Sequence, residues 1–92
     1  SVITSDSAEM DIDKNSAVLT GHVKVDNLNK DRGMTKITSD RARIDQKKNL
    51  LEFTGNVNIE NDESIVQADK GIYNTETKKI NAVGNVYVNY KR

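Results

Sequence analysis

The chain has 92 residues, of which 35% are apolar and 4% aromatic, with no Trp, Pro or Cys, a length and composition that bound it to a single domain with a thin core. Fourteen basic residues balance fourteen acidic ones, so nothing suggests the clustered positive surface of a nucleic-acid binder. The missing cysteines exclude a disulfide scaffold and a thiolate zinc site.

In chain order, the first apolar positions are Ile3, Ala8 and Met10, and their parity changes between Ser5 and Ala8. A polar turn at Asp13-Lys14-Asn15 follows. Next, Ala17, Leu19, Gly21, Val23 and Val25 alternate with Val18, Thr20, His22 and Lys24, the period-two pattern of a half-buried strand. A link over Asp26–Gly33 leads to Ile37, Ser39, Ala42 and Ile44, where the parity switch recurs. An extra residue, a β-bulge or bend near Asp6 and Asp40, would keep both halves of such a strand facing inward. After a turn over Asp45–Asn49, the residues Leu51, Phe53, Gly55, Val57 and Ile59 alternate with polar neighbours. A second link, Glu60–Glu63, leads to Val66 and Tyr73; a turn over Asn74–Lys79 leads to Ile80, Ala82, Gly84, Val86 and Val88.

Gly21, Gly55 and Gly84 stand 34 and 29 residues apart, and the same two offsets superpose the flanking pattern. Ile3-Thr4-Ser5-Asp6 falls on Ile37-Thr38-Ser39-Asp40 and on Val66-Gln67-Ala68-Asp69, and Met10 falls on Ile44 and Tyr73. A period of this size marks a stacked repeat architecture. The reading is one domain over 1–92, all-β, of three strand-turn-strand units at about 1–33, 34–63 and 64–92. Residues 41–53 are rich in helix formers, but their counterparts are not; a repeat has one structure in every copy, so this segment is expected to be strand.

Candidate sites are few. Glycine in a strand usually marks a bend or a close approach, and one glycine per unit does not cradle phosphate. Asp6, Asp40 and Asp69 fall on separate levels of a stack, too dispersed to converge on a cation, and are expected to bond nearby backbone at a bend. His22, the one histidine, takes the place of Asn56 and Asn85 on a polar face and is expected at the surface. No nucleophile–base constellation is present, so neither an enzyme nor a cofactor is expected. The informative feature is the apolar face: Met10, Leu19, Val23, Val25, Ile37, Ile44, Leu51, Phe53, Val57, Ile59, Tyr73, Ile80, Val86 and Val88, joined by Ile3 and Val66. Periodicity leaves open whether it closes as a dry core or lines a groove.

The stretches Ile37-Thr38-Ser39-Asp40-Arg41-Ala42 and Leu51-Glu52-Phe53-Thr54-Gly55-Asn56-Val57, repeated in register, resemble the OstA-like, or LptA-like, family of lipopolysaccharide transport. The resemblance implies an open, twisted β-jellyroll of two antiparallel sheets. It implies a periplasmic carrier that holds lipopolysaccharide acyl chains in an apolar groove and passes them between membranes. The fourteen apolar residues would then line the groove. Implied partners are lipopolysaccharide and other OstA-fold components, met by edge-strand stacking. The inner-membrane-anchored, LptC-like component and the N-terminal domain of the outer-membrane translocon share the fold. A structural or adhesive module with a dry core is the alternative.

Two residue-level points bear on that reading. No apolar run approaches the ~20 residues of a membrane helix and no secretory signal is present, so an exported protein would be represented here in mature or trimmed form. A repeat begins at Ile3 and another ends at Val88 without a capping element, and uncapped edge strands invite partners. Head-to-tail self-association is therefore expected, with Lys91 and Arg92 blunting one end.

Overall fold

The computed structural model describes residues 2–28 and 35–90. Eight strands follow in order: β1 Val2–Thr4, β2 Ser7–Asp11, β3 Ser16–Leu28, β4 Thr35–Asp45, β5 Leu50–Glu60, β6 Ser64–Asn74, β7 Lys79–Val83 and β8 Tyr87–Tyr90. All pairings are antiparallel, and they join one ladder in the order β1/β2, β3, β4, β5, β6, β7/β8. The all-β expectation holds, and residues 41–53 form the end of β4, a turn and the start of β5 rather than a helix. Tertiary pairing on both sides overrides the local propensity of that stretch.

The three hairpin turns share one construction. A side-chain oxygen at the end of the incoming strand caps the turn: Lys14 N–H donates to Asp11 Oδ1 at 3.2 Å, and Lys48 N–H donates to Asp45 Oδ1 at 3.2 Å. In the third, Glu76 N–H and Thr77 N–H both donate to Asn74 Oδ1, at 2.9 and 3.0 Å. Each turn closes on a left-handed residue, Asn15 (φ 51°), Asn49 (φ 56°) and Lys78 (φ 61°), a conformation asparagine adopts with little strain. The second link is tied by Asn61 Oδ1, which accepts from Glu63 N–H and Ser64 N–H at 2.9 and 2.8 Å. Of the link expected at Asp26–Gly33, Asp26 to Leu28 belong to β3; the rest lies outside the described residues, as do Lys91 and Arg92.

Every long strand is interrupted at the same level. Thr20 pairs with Arg41 and Val23 with Ser39, so Gly21 and His22 together face Asp40. Thr54 pairs with Lys70 and Val57 with Ala68, so Gly55 and Asn56 together face Asp69. The extra residue thus sits on the glycine strands, not on the aspartate strands where the parity switch suggested it. At two of the three aspartates the bend is held by a serine: Ser39 Oγ donates to Arg41 C=O at 3.0 Å, and Ser5 Oγ to Ser7 C=O at 3.0 Å.

These bulges fold the ladder into two facing layers, as contacts at Gly71 show. Gly71 pairs with Phe53, six residues from Ile59 along β5, which on a flat sheet is a separation of about 20 Å. Yet a Cβ on Gly71 would lie 3.1 Å from Val57 Cγ1 and 3.6 Å from Ile59 Cδ1. One half of the sheet therefore lies over the other, and the core between them gathers Leu19, Val25, Ile37, Phe53, Val57 and Tyr73 from both. Gly71 is glycine because the opposite layer comes this close.

Candidate apolar interior and its edges

The interior is organised as rows of residues opposite one another across the ladder. In one layer Ile3, Val25, Ile37, Ile59, Val66 and Val88 form a continuous cross-strand row, beside Val23, Ser39, Val57 and Ala68. In the other layer Met10, Ala17, Ile44, Leu51, Tyr73 and Ile80 form one row, beside Ala8, Leu19, Ala42, Phe53, Gly71 and Ala82. Period-two alternation placed these residues on one face, and the bulges keep them there through the bend.

Burial along each row follows position in the ladder rather than residue type. Val25, Ile37 and Ile59 are 1, 0 and 6% exposed, whereas Ile3 and Val88, at the two ends of that row, are 40 and 45% exposed. In the other layer Leu51 and Tyr73 are buried, Ile44 and Ile80 half-buried, and Met10 is 74% exposed. Among the fourteen residues of the expected groove, Leu19, Val23, Val25, Ile37, Leu51, Phe53, Val57, Ile59 and Tyr73 are buried together in one cluster. Ile44 and Ile80 pack against it, and Met10, Val86 and Val88 stand open at the sheet edges. The middle of the interior is thus filled by its own side chains, and its two ends are open.

Ser39 and Ala42, expected to face inward through the bend, are buried. Sequence reasoning passed over another part of this surface: Ala68 and the polar Thr35 and Ser64 are buried too. Ile12, Tyr90 and Val2, at 83, 74 and 56% exposure, extend the apolar margin at the two edges. Their signal was available in principle: each flanks a unit that lacks a neighbour on one side.

The outer surface carries a second repeated arrangement. Asn56 Nδ2 donates to Asp40 Oδ2 at 2.9 Å and Asn85 Nδ2 to Asp69 Oδ2 at 2.8 Å; His22 Nδ1 lies 2.8 Å from Asp6 Oδ2. Each aspartate grips the residue after the bulge glycine of the adjacent strand. The role expected for these aspartates, bonding to nearby backbone, is therefore replaced by a side-chain clamp across strands, although Asp6 and Asp69 do use their own N–H to reach Gly21 C=O and Gly84 C=O. The glycines are in the left-handed region, at φ +81°, +84° and +83°, directly beneath the clamps. His22 is exposed, as anticipated, and the hydrogen bond to the Asp6 carboxylate, with its negative charge, raises its pKa above the ordinary histidine value of 6.5. No group of three metal-ligating side chains converges among the described residues.

A cleft of about 890 Å³ lies on one side of the molecule, between the β2–β3 hairpin and the outer faces of β4 and β5. Its walls mix Glu9, Asp11 and Glu52 with Arg41 and Arg43, and Met10, Ile12, Ala17 and Val18 give it an apolar share, so its lining is mixed. Met10, Ala17 and Ala42 belong both to this cleft and to the apolar rows, so the cleft adjoins one open edge of the interior.

Comparison with known proteins accords with this geometry. No curated protein matches the chain in sequence. Among solved structures, the chain is similar to LptH of Pseudomonas aeruginosa, the LptA-homologous periplasmic component of the lipopolysaccharide transport device. The likeness has a TM-score of 0.62 at 15% identity and covers 99% of this chain and 94% of that one, which shows a shared fold. The model of the LptC-related, lipopolysaccharide-assembly family matches residues 1–91, so the chain belongs to that family.

Proposed function

We propose that this protein is a periplasmic carrier that takes lipopolysaccharide acyl chains between its two layers and passes them along a line of like-folded domains. The observation that carries the reading is the set of apolar rows, continuous across the ladder and open at both edges. The rows are apolar apart from Ser39 and the Tyr73 hydroxyl and contain no Asp, Glu, Lys, Arg or His, so the chemistry they offer is burial of hydrocarbon at about 25 cal/mol per Å². Small residues at Ala42, Ala68, Gly71 and Ala82 keep the layers close, and an acyl chain enters by parting them from an open edge. The LptH likeness supports the compartment and the pathway.

The close packing of Phe53, Ile37 and Val23 favours a second reading, a structural module whose core stays dry. A photo-activated cross-linker at Ile80, half-buried and facing inward, separates the two when the protein is mixed with lipopolysaccharide. The carrier gives an adduct at Ile80 and none at the outward-facing Thr54. Equal labelling at both, or none at any inward position, leaves only the module.

A further inference from the structure

The outer face of the layer built on Val25, Ile37, Ile59 and Val66 differs in chemistry from that of the other layer. Thr38, Asn58, Gln67 and Tyr87 stand opposite one another across β4, β5, β6 and β8 and, alternating with inward residues, point outward. These four positions carry hydroxyl and carboxamide groups and no charge. The corresponding outward row of the other layer holds Glu9, Arg43 and Glu52. Charges beside the uncharged row are matched: Lys24 lies 3.6 Å from Asp26, and Lys36 stands opposite Glu60. Two shallow depressions, of about 310 and 260 Å³, lie along it, and both are lined by Asn58 and Gln67. Asn56 and Asn85 give their amide protons to aspartate clamps. Among the described residues the side chains of Thr38, Asn58 and Gln67 make no such bond.

We propose that this face is a subsite for uncharged sugar rings, filled by the saccharide part of the same lipopolysaccharide molecule whose acyl chains lie between the layers. The proposal rests on the carrier reading. A sugar hydroxyl both donates and accepts hydrogen bonds, and a carboxamide presents both functions on one plane. The strands hold these groups about 4.8 Å apart, close to the length of a pyranose ring, so a sugar chain lying across them meets one group per ring. Tyr87, 60% exposed, supplies an aromatic face on which the C–H side of a ring packs. The opposite faces of β5 and β6 hold the buried Val57, Ile59 and Ala68, so Asn58 and Gln67 stand on a platform fixed before any ligand arrives. Continuity with the interior selects an amphiphile over a free sugar. On β8, Val88 faces inward and Tyr87 outward, and both are exposed. A ligand whose hydrocarbon passes Val88 therefore carries its headgroup to within one strand's width of Tyr87. That tether raises the local sugar concentration to about the millimolar range, enough to fill a site too weak to hold dilute free sugar.

Dephosphorylated core oligosaccharide of lipopolysaccharide, freed of its acyl chains and titrated to millimolar concentration into isotope-labelled protein, tests this by NMR. The side-chain amide signals of Asn58 and Gln67 should shift, and that of Asn81, outward on the other layer, should not. Asn58→Ala combined with Gln67→Ala should weaken binding by about tenfold or more. The urea midpoint should stay unchanged, because neither carboxamide has a hydrogen-bond partner among the described residues. Equal shifts at Asn81, binding unaltered in the double variant, or no shift at millimolar oligosaccharide overturns the sugar subsite. None of those outcomes touches the carrier reading, which stands or falls on Ile80 labelling by intact lipopolysaccharide. Failure of that labelling removes lipopolysaccharide as the source of the sugar.

Discussion

Gly55 and Asp40 cannot both keep their places once the glycine acquires a Cβ, which would lie 2.9 Å from Asp40 Oδ2 on a backbone at φ +84°. Gly55→Ala is expected to lower stability by about 1–3 kcal/mol, read as a fall in the urea midpoint, from left-handed strain together with the clash. Adding Asp40→Ala should recover only the steric part. The first clamp differs from the other two in carrying a titratable partner. Because the folded-state pKa of His22 is raised by Asp6, its contribution is complete below the unfolded value of 6.5 and is lost as pH rises through the raised folded value. Relative to His22→Asn, which restores the residue found at Asn56 and Asn85, the wild type should therefore lose stability across that interval. An NMR titration should show the His22 midpoint falling when Asp6 becomes Asn. The glycine spacing was visible in the sequence, but the clamp was not. Asp6 and His22 are 16 residues apart, and only the two-against-one count of the bulge brings them together.

At the scale of elements, β5 is the centre of the ladder, paired along its whole length with β4 and β6. Its inward residues Leu51, Phe53, Val57 and Ile59 are all buried, and Phe53 is the largest fully buried side chain. Phe53→Ala should cost about 3–5 kcal/mol, a large share of the stability of a domain this size, and urea unfolding followed by far-ultraviolet circular dichroism measures it. Alternation made β5 and its equivalents readable from residue types alone, since one apolar face on a two-residue period has one reading. The parity switch on β4 was readable as a bend near Asp40, but its cause was assigned to the wrong strand. Pairing register decides which strand carries the extra residue, and register is a relation between strands that no single segment encodes.

For the molecule as a whole, position in the ladder decides what a residue does. Met10, Ile44 and Tyr73 occupy the same place in three copies of one pattern and lie in one cross-strand row, yet Tyr73 is 3% exposed and Met10 is 74% exposed. Pattern alone therefore marks them as equivalent, and the difference comes from whether a neighbouring strand and the opposite layer cover them. That difference separates folding from function. Val57→Asp places a charge where exposure is 1%, with no partner among the rows, a cost of several kcal/mol that should prevent folding. Met10→Asp places the same charge at an open edge and should leave the urea midpoint within about 0.5 kcal/mol of the wild type. If like-folded domains meet at this edge, Met10→Asp should still abolish association in light scattering, because the charge would be buried against the apolar surface of the neighbouring domain. Retained association with unchanged stability would mean that the open ends of the rows meet nothing.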